Sequence, residues 1–347
     1  MGRLSGNQRR CRRLISMFWL KTIVYFLVVE ILYIANPGTL KPDNIQILSG
    51  LATLVVAFMS IKISSKKCSR STFGWARAEV LGAFVNAVFL VALCFSITVD
   101  ACRRFYQAFQ PGNIEDRPCL FFLHGVSRLF VNVIGLFLFR AGANATAIDS
   151  NENAERFQPP NRVQDQKSES PQQMNMRGVF LHCLAGTLNS VKIIIPLLVH
   201  VMVGLWKYKG YFNLVDPTLS LLVVMIMLRS VWPLLRESAF ILLQSFPAHI
   251  QVDEIQSRLL KTFDGVSAVR EFHVWQLTGD KIIASAHIWY KSLFEYMKLS
   301  EKVEEFFHDE GIHSITIQSE FVESLNVTLN RSSSNSTQQY VEEPSTL

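Results

Sequence analysis

Residues 72–95 read TFGWARAEVLGAFVNAVFLVALCF. Beyond Glu79 apolar side chains follow one another around every face of a helix, interrupted chiefly by Gly82 and Asn86, and the run extends to residue 100. Such a helix has no face to turn towards water, and its length matches the roughly 20 residues that cross a bilayer. Apolar runs of similar length recur at residues 14–35, 44–64, 118–140, 178–205 and 213–235, so six transmembrane helices are expected. The composition agrees: of 347 residues 49% are hydrophobic and 18% charged, and the mean hydropathy is +0.22. A water-soluble enzyme is not expected, and neither a nucleophile–base pair nor a phosphate-binding glycine loop is evident. The net charge of +6 reads as basic flanks beside membrane spans, with no nucleic-acid partner. The six cysteines are scattered without a CxxC pair, which suggests neither a disulfide framework nor a thiolate zinc site.

The charges set an orientation. Arg9, Arg10, Arg12 and Arg13 precede the first run, which is too long for a signal-peptide core. Basic residues also follow the second run (Lys66, Lys67, Arg70, Arg77) and the fourth (Arg140, Arg156, Arg162, Lys167). Both termini are therefore expected in the cytosol. The expected organisation is a basic N-terminus (1–13), helices one to four (14–141), a polar flexible loop (142–176), helices five and six (177–246), a cytosolic domain (247–322) and a disordered tail (323–347). Sequons at Asn144, Asn326, Asn330 and Asn335 would then face the cytosol and stay unmodified.

The last third changes character. HIQVDEIQSRLLKTF (249–263) has helical periodicity, VREFHVWQL and KIIASAHIWY alternate as strands about a Thr278-Gly279-Asp280 turn, SLFEYMKLSEKVEEFFHDE is an amphipathic helix, and SITIQSEF is a closing strand. The order αββαβ predicts a small α+β sandwich. Alternation puts His273 on a face with Trp275, and His287 with Trp289.

Polar residues inside the apolar runs are costly and suggest a pathway or partner. Lys21 and Glu30 are read as snorkelling from span ends, and Asn132 as bonding a neighbouring helix. Arg128, His182 and Lys192 are harder to place as scaffold, while Asp216 is read as structural, pathway-lining or paired with Lys192.

TFGWARAEVLGAFVNAVFLVALCF, LFVNVIGLFLF (129–139), RGVFLHCL (177–184), VDPTLS (215–220), LLRESAFILLQSFP (234–247) and EFHVWQLTGDKIIASAHI (271–288) together resemble the cation diffusion facilitators, nearest the animal plasma-membrane zinc exporter and its manganese-exporting relative. The resemblance covers residues 14–322. It implies six-span subunits with a cytosolic ferredoxin-like domain, paired as homodimers or heterodimers, exchanging cytosolic Zn²⁺ for a proton in the plasma membrane or a vesicle membrane. It also implies an ion held by a His-x-x-x-Asp pair from each of spans two and five, since residues one turn apart share a helix face and two such faces offer four ligands.

Here the pattern is eroded. Gln46 and Gly50 stand at the ligand positions of span two, and His182 with Gly186 at those of span five, so His182 alone of the expected ligands remains. Both negative charges are lost, Arg128 and Lys192 add positive ones that would repel a dication, and Pro42 and Pro196 are expected to interrupt the ligand-bearing helices. The loop 142–176, histidine-rich in the family, contains no histidine. The resemblance further implies regulatory zinc on His273, His287 and Glu320. The reading is a zinc-transporter-family protein in zinc transmembrane transport and homeostasis, with a degenerate site, acting as a poorly transporting dimer subunit. The alternative is an autonomous proton-coupled Zn²⁺ or Mn²⁺ exporter with a site rebuilt from Asp43, Gln46, His182 and Asp216. A zinc-sensing scaffold built on the cytosolic domain is a third reading.

Overall fold

The computed structural model describes residues 6–35, 41–66, 72–108, 125–140, 170–203, 209–247, 250–278 and 281–321, with 27–35, 41–45, 196–203 and 209–213 as backbone only. The N-terminal unit is helical: α1 Gly6–Ala35, α2 Lys41–Ser64, α3 Ala78–Ala108, α4 (125–140), α5 Pro171–Val203 and α6 Lys209–Leu242. Among the described residues four helices, α2, α3, α5 and α6, are long and apolar enough to cross a membrane. α4 has 16 described residues and α1 is not among the four, so the described residues do not establish six spans. The part of the fourth run at 118–124, the loop 142–169 with its sequon, and the tail beyond Phe321 lie outside the described residues.

The helices turn their polar groups inward and leave Phe95, Phe130, Phe137 and Met225 exposed, the arrangement a lipid solvent requires. One core joins α3, α5 and α6 through Ala83, Ala87, Leu181, Val224, Met227 and Leu234. A second joins α1, α2, α4 and α5 through Leu14, Met17, Leu54, Phe139, Val179 and Cys183. Helices approach closely where a side chain is missing: a Cβ on Gly82 of α3 would fall 2.0 Å from Ser60 Oγ of α2. Glu79 of α3 ties two helices at once, accepting from Ser64 Oγ at 2.7 Å and from Arg10 Nη1 at 3.4 Å. Arg10 is thus buried against a carboxylate, although the sequence reads it as a flanking charge.

Three sequence expectations need correction. The polar loop was expected to run to residue 176, but α5 begins at Pro171, and Met174, Asn175 and Met176 are buried. The cause is local: Ser170 Oγ accepts from the Gln173 amide while Gln173 Oε1 accepts from the Ser170 amide, a reciprocal cap with proline at the first helical position. Pro42 does not interrupt α2, because it stands in the first turn, where the absent N–H is not needed. Nor does Pro196 interrupt α5, which continues to Val203.

The C-terminal unit has the expected order α7 Val252–Thr262, β1 Val266–Thr278, β2 Lys281–Tyr290, α8 Leu293–Asp309 and β3 Ser314–Phe321. β2 is the middle strand, antiparallel to β1 and parallel to β3. Its alternation buries Ile282, Ala284, Ala286, Ile288 and Tyr290 on one face, where they meet Ile255 and Leu259 of α7 and Leu299, Val303 and Phe307 of α8. Burial, and then the neighbouring Tyr296, push the Tyr290 phenol up to about 12. α8 starts at Ser292, whose side chain accepts from the Glu295 amide. Thr278 pairs with Lys281 across the expected turn, whose Gly279 and Asp280 lie outside the described residues.

Candidate transport site

Residues 46 and 50 are one turn apart on α2, and residues 182 and 186 one turn apart on α5, so each pair shares a helix face. The fold brings these two faces to one cavity, lined by Gln46, Gly50, His182 and Gly186 together with Arg128 and Asn132 of α4 and Lys21 of α1. Lys21, Gln46, Arg128 and His182 are 9%, 6%, 5% and 4% exposed. This is a buried polar chamber inside an apolar bundle.

The positions without side chains are occupied from across the chamber. A Cβ on Gly50 would lie 2.9 Å from His182 Nε2 and 3.4 Å from Lys21 Nζ. The lysine ammonium therefore stands beside the place from which an aspartate at residue 50 would extend. A Cβ on Gly186 would lie 2.5 Å from Asn132 Nδ2, so the asparagine amide fills the space that a side chain there would need. Gln46 Oε1 accepts from Arg128 Nη2 at 2.6 Å and from Asn189 Nδ2 at 2.5 Å. A carbonyl oxygen has two lone pairs, and both are engaged, which leaves Gln46 without an oxygen to offer a metal. No Asp or Glu lines the chamber among the described residues.

The other candidates lie elsewhere. Asp216 of α6 is bound by Arg104 Nη1 of α3 at 2.8 Å and lies 3.9 Å from Lys192 Nζ of α5. Arg104 also holds Asp100 at 2.6 Å. Neither Asp216 nor Lys192 lines the chamber, so the structure does not assemble Asp216 with Gln46 and His182, and Lys192 stands within ion-pair reach of Asp216. The side chain of Asp43, like that of Glu30, lies outside the described residues. Lys21 corrects its reading as a snorkelling residue. α1 starts at Gly6, so Lys21 lies about four turns into the helix, and it is buried and lines the chamber. Asn132 likewise turns to the chamber.

In the C-terminal unit His287 Nδ1 is 3.0 Å from Glu320 Oε1, and Nε2 is 3.5 Å from Glu271 Oε2. Glu271 was missed because it sits in a register shift between Arg270 and His273 with φ of 47°, a bulge that strict alternation does not anticipate. His273 lies opposite Ser285, and among the described residues no group of three His, Cys, Asp or Glu side chains is disposed to hold a metal ion. The expected zinc set His273, His287 and Glu320 therefore reduces to a His287–carboxylate cluster.

Two family models match consecutive stretches: the cation efflux transmembrane domain over residues 16–243, and the cation efflux protein cytoplasmic domain over residues 247–321. The chain belongs to the cation efflux family. It is 33% identical to the calcium/manganese antiporter SLC30A10 of Homo sapiens, over 93% of this chain and 80% of that protein. It is 32% identical to the vacuolar zinc transporter ZRC1 of Saccharomyces cerevisiae, over 89% of this chain and 83% of that one. It is 30% identical to the proton-coupled zinc antiporter SLC30A1 of Mus musculus, over 89% and 81%. Within this cation efflux fold, the chamber faces of α2 and α5 are where the resemblance expects a metal, and the polar groups gathered there include an ammonium, a guanidinium, amides and the imidazole of His182.

Proposed function

We propose that this chain is a cation efflux membrane subunit that carries divalent cations poorly or not at all by itself and acts by pairing with a transporting relative in zinc or manganese homeostasis. The observation that supports it is the placement of Lys21 Nζ beside His182 and Gly50, where a dication would have to sit. At an effective dielectric constant near 20, two unit charges 4 Å apart repel by about 4 kcal/mol, and a dication doubles this. His182 is the one metal-binding side chain lining the chamber among the described residues, and a single imidazole does not offset such repulsion. On this reading the chain is no enzyme, both termini are cytosolic, and the residues 247–321 that match the family's cytoplasmic domain provide the pairing surface.

The test is proton-driven radiozinc and radiomanganese uptake into liposomes containing this chain alone, beside liposomes containing a zinc-transporting relative. Uptake at the level of empty liposomes is expected. Uptake comparable to the relative's, abolished by His182→Ala, would establish an autonomous exporter instead.

A further inference from the structure

The chamber between α1, α2, α4 and α5 is inverted in polarity. Lys21 brings a positive charge to the space over Gly50, and no described carboxylate lies within 4.0 Å of it; its hydrogen-bond contact is Cys183 Sγ at 3.9 Å. Because the oxygen of Gln46 is turned to Arg128 and Asn189, its Nε2 remains as a buried donor without a partner. His182 Nδ1 is also buried without a partner. Lys21 and Gln46 Nε2 thus present a cationic charge and an N–H group to one cavity, and the lining described there contains no acidic group.

We propose that this chamber binds a small monovalent anion of the halide class, chloride being the abundant example. A buried ammonium in an apolar bundle is costly without a counter-charge, and an anion beside Lys21 supplies one while accepting from Gln46 Nε2. The ion belongs in the cavity lined by Lys21, Gln46 and His182, whose wall is tight enough that a Cβ on Gly50 would already crowd the His182 ring at 2.9 Å, and such tightness favours a small spherical ion over phosphate or sulfate. The proposal stands independently of whether the chain pairs with a relative.

The experiment is equilibrium binding of radiolabelled chloride to the purified full-length chain in lipid nanodiscs. Saturable binding is expected, competed by bromide and left intact by gluconate. Lys21→Met should weaken it by at least about tenfold, equivalent to ~1.4 kcal/mol. Lys62→Met, which removes the same charge from an exposed position on α2, should bind as the parent does. Should Lys21→Met fail to fold, Gln46→Glu keeps the side-chain shape, replaces the free donor by an acceptor, and should show the same loss. Absence of saturable chloride binding by the parent chain, or unchanged binding in both Lys21→Met and Gln46→Glu, overturns the proposal. A chain that moves no zinc in liposomes and binds no chloride overturns this inference alone.

Discussion

On the proposed reading Lys21 governs what the chamber holds, because an ammonium beside Gly50 and His182 repels a dication that a single imidazole would have to keep. Its place has a consequence for any attempt to restore metal binding. Gln46→His, Gly50→Asp and Gly186→Asp together supply the ligands that the resemblance assigns, yet a side chain at 186 would run into the Asn132 amide at 2.5 Å, and the carboxylate at 50 would meet Lys21 Nζ first. The aspartate would form an internal ion pair with the lysine and have little left for zinc. We therefore expect the triple variant to remain at background in liposomal zinc uptake, and the same variant with Lys21→Met and Asn132→Ala to rise above it. Uptake by the triple variant alone would show that Lys21 swings clear of the site. The four positions at residues 46, 50, 182 and 186 came from the family resemblance, and they meet in one cavity because residues one turn apart on a helix share a face. The occupants were not legible in the sequence: Lys21, Asn132 and Asn189 reach the chamber from α1, α4 and a further turn of α5, and no periodicity within one helix reveals what a neighbouring helix inserts.

At the scale of elements, most of the helices and all three strands were legible, since hydrophobic period and strand alternation are set by burial alone. The ends were harder. α1 and α5 both extend beyond their apolar runs into polar sequence, to Gly6 and Pro171, because helix ends are fixed by caps and interhelical bonds instead of by hydropathy. The signal at 170–173, Ser-Pro-Gln-Gln, was present and was outweighed by the polar composition around it. Its strength can be measured. Ser170→Ala removes an acceptor for the Gln173 amide, at a cost of about 1 kcal/mol, so amide exchange at residues 172–176 should accelerate by roughly fivefold in the full-length protein while exchange in α3 is unchanged. Unaltered exchange would mean that Asn175, which donates to the Ala57 carbonyl at 3.2 Å, holds the first turn by itself. The bulge at Glu271 is the corresponding case among strands. One inserted residue in αL conformation brings a carboxylate to His287, and it also interrupts the strict alternation along β1 between Arg270 and His273.

At the scale of the whole molecule, the chain combines matches to both parts of the family architecture, residues 16–243 and 247–321, with a chamber whose described lining holds Lys21 and Arg128 and no acidic side chain. On the proposed subunit reading the pairing surface belongs to the C-terminal unit, whose sheet and helices form their own buried core of Ile255, Leu259, Ala284, Ile288, Val303 and Phe307. This separate core yields the remaining prediction. When the chain is co-expressed with a zinc-transporting relative and extracted in mild detergent, the two should co-elute as a two-chain particle, and Lys21→Met should leave that particle intact because it alters the chamber only. If pairing depended on the chamber, Lys21→Met would release the relative. A chain that elutes without the relative under conditions where the relative pairs with itself would contradict the subunit role, and would leave the anion-binding chamber as the protein's own activity to pursue.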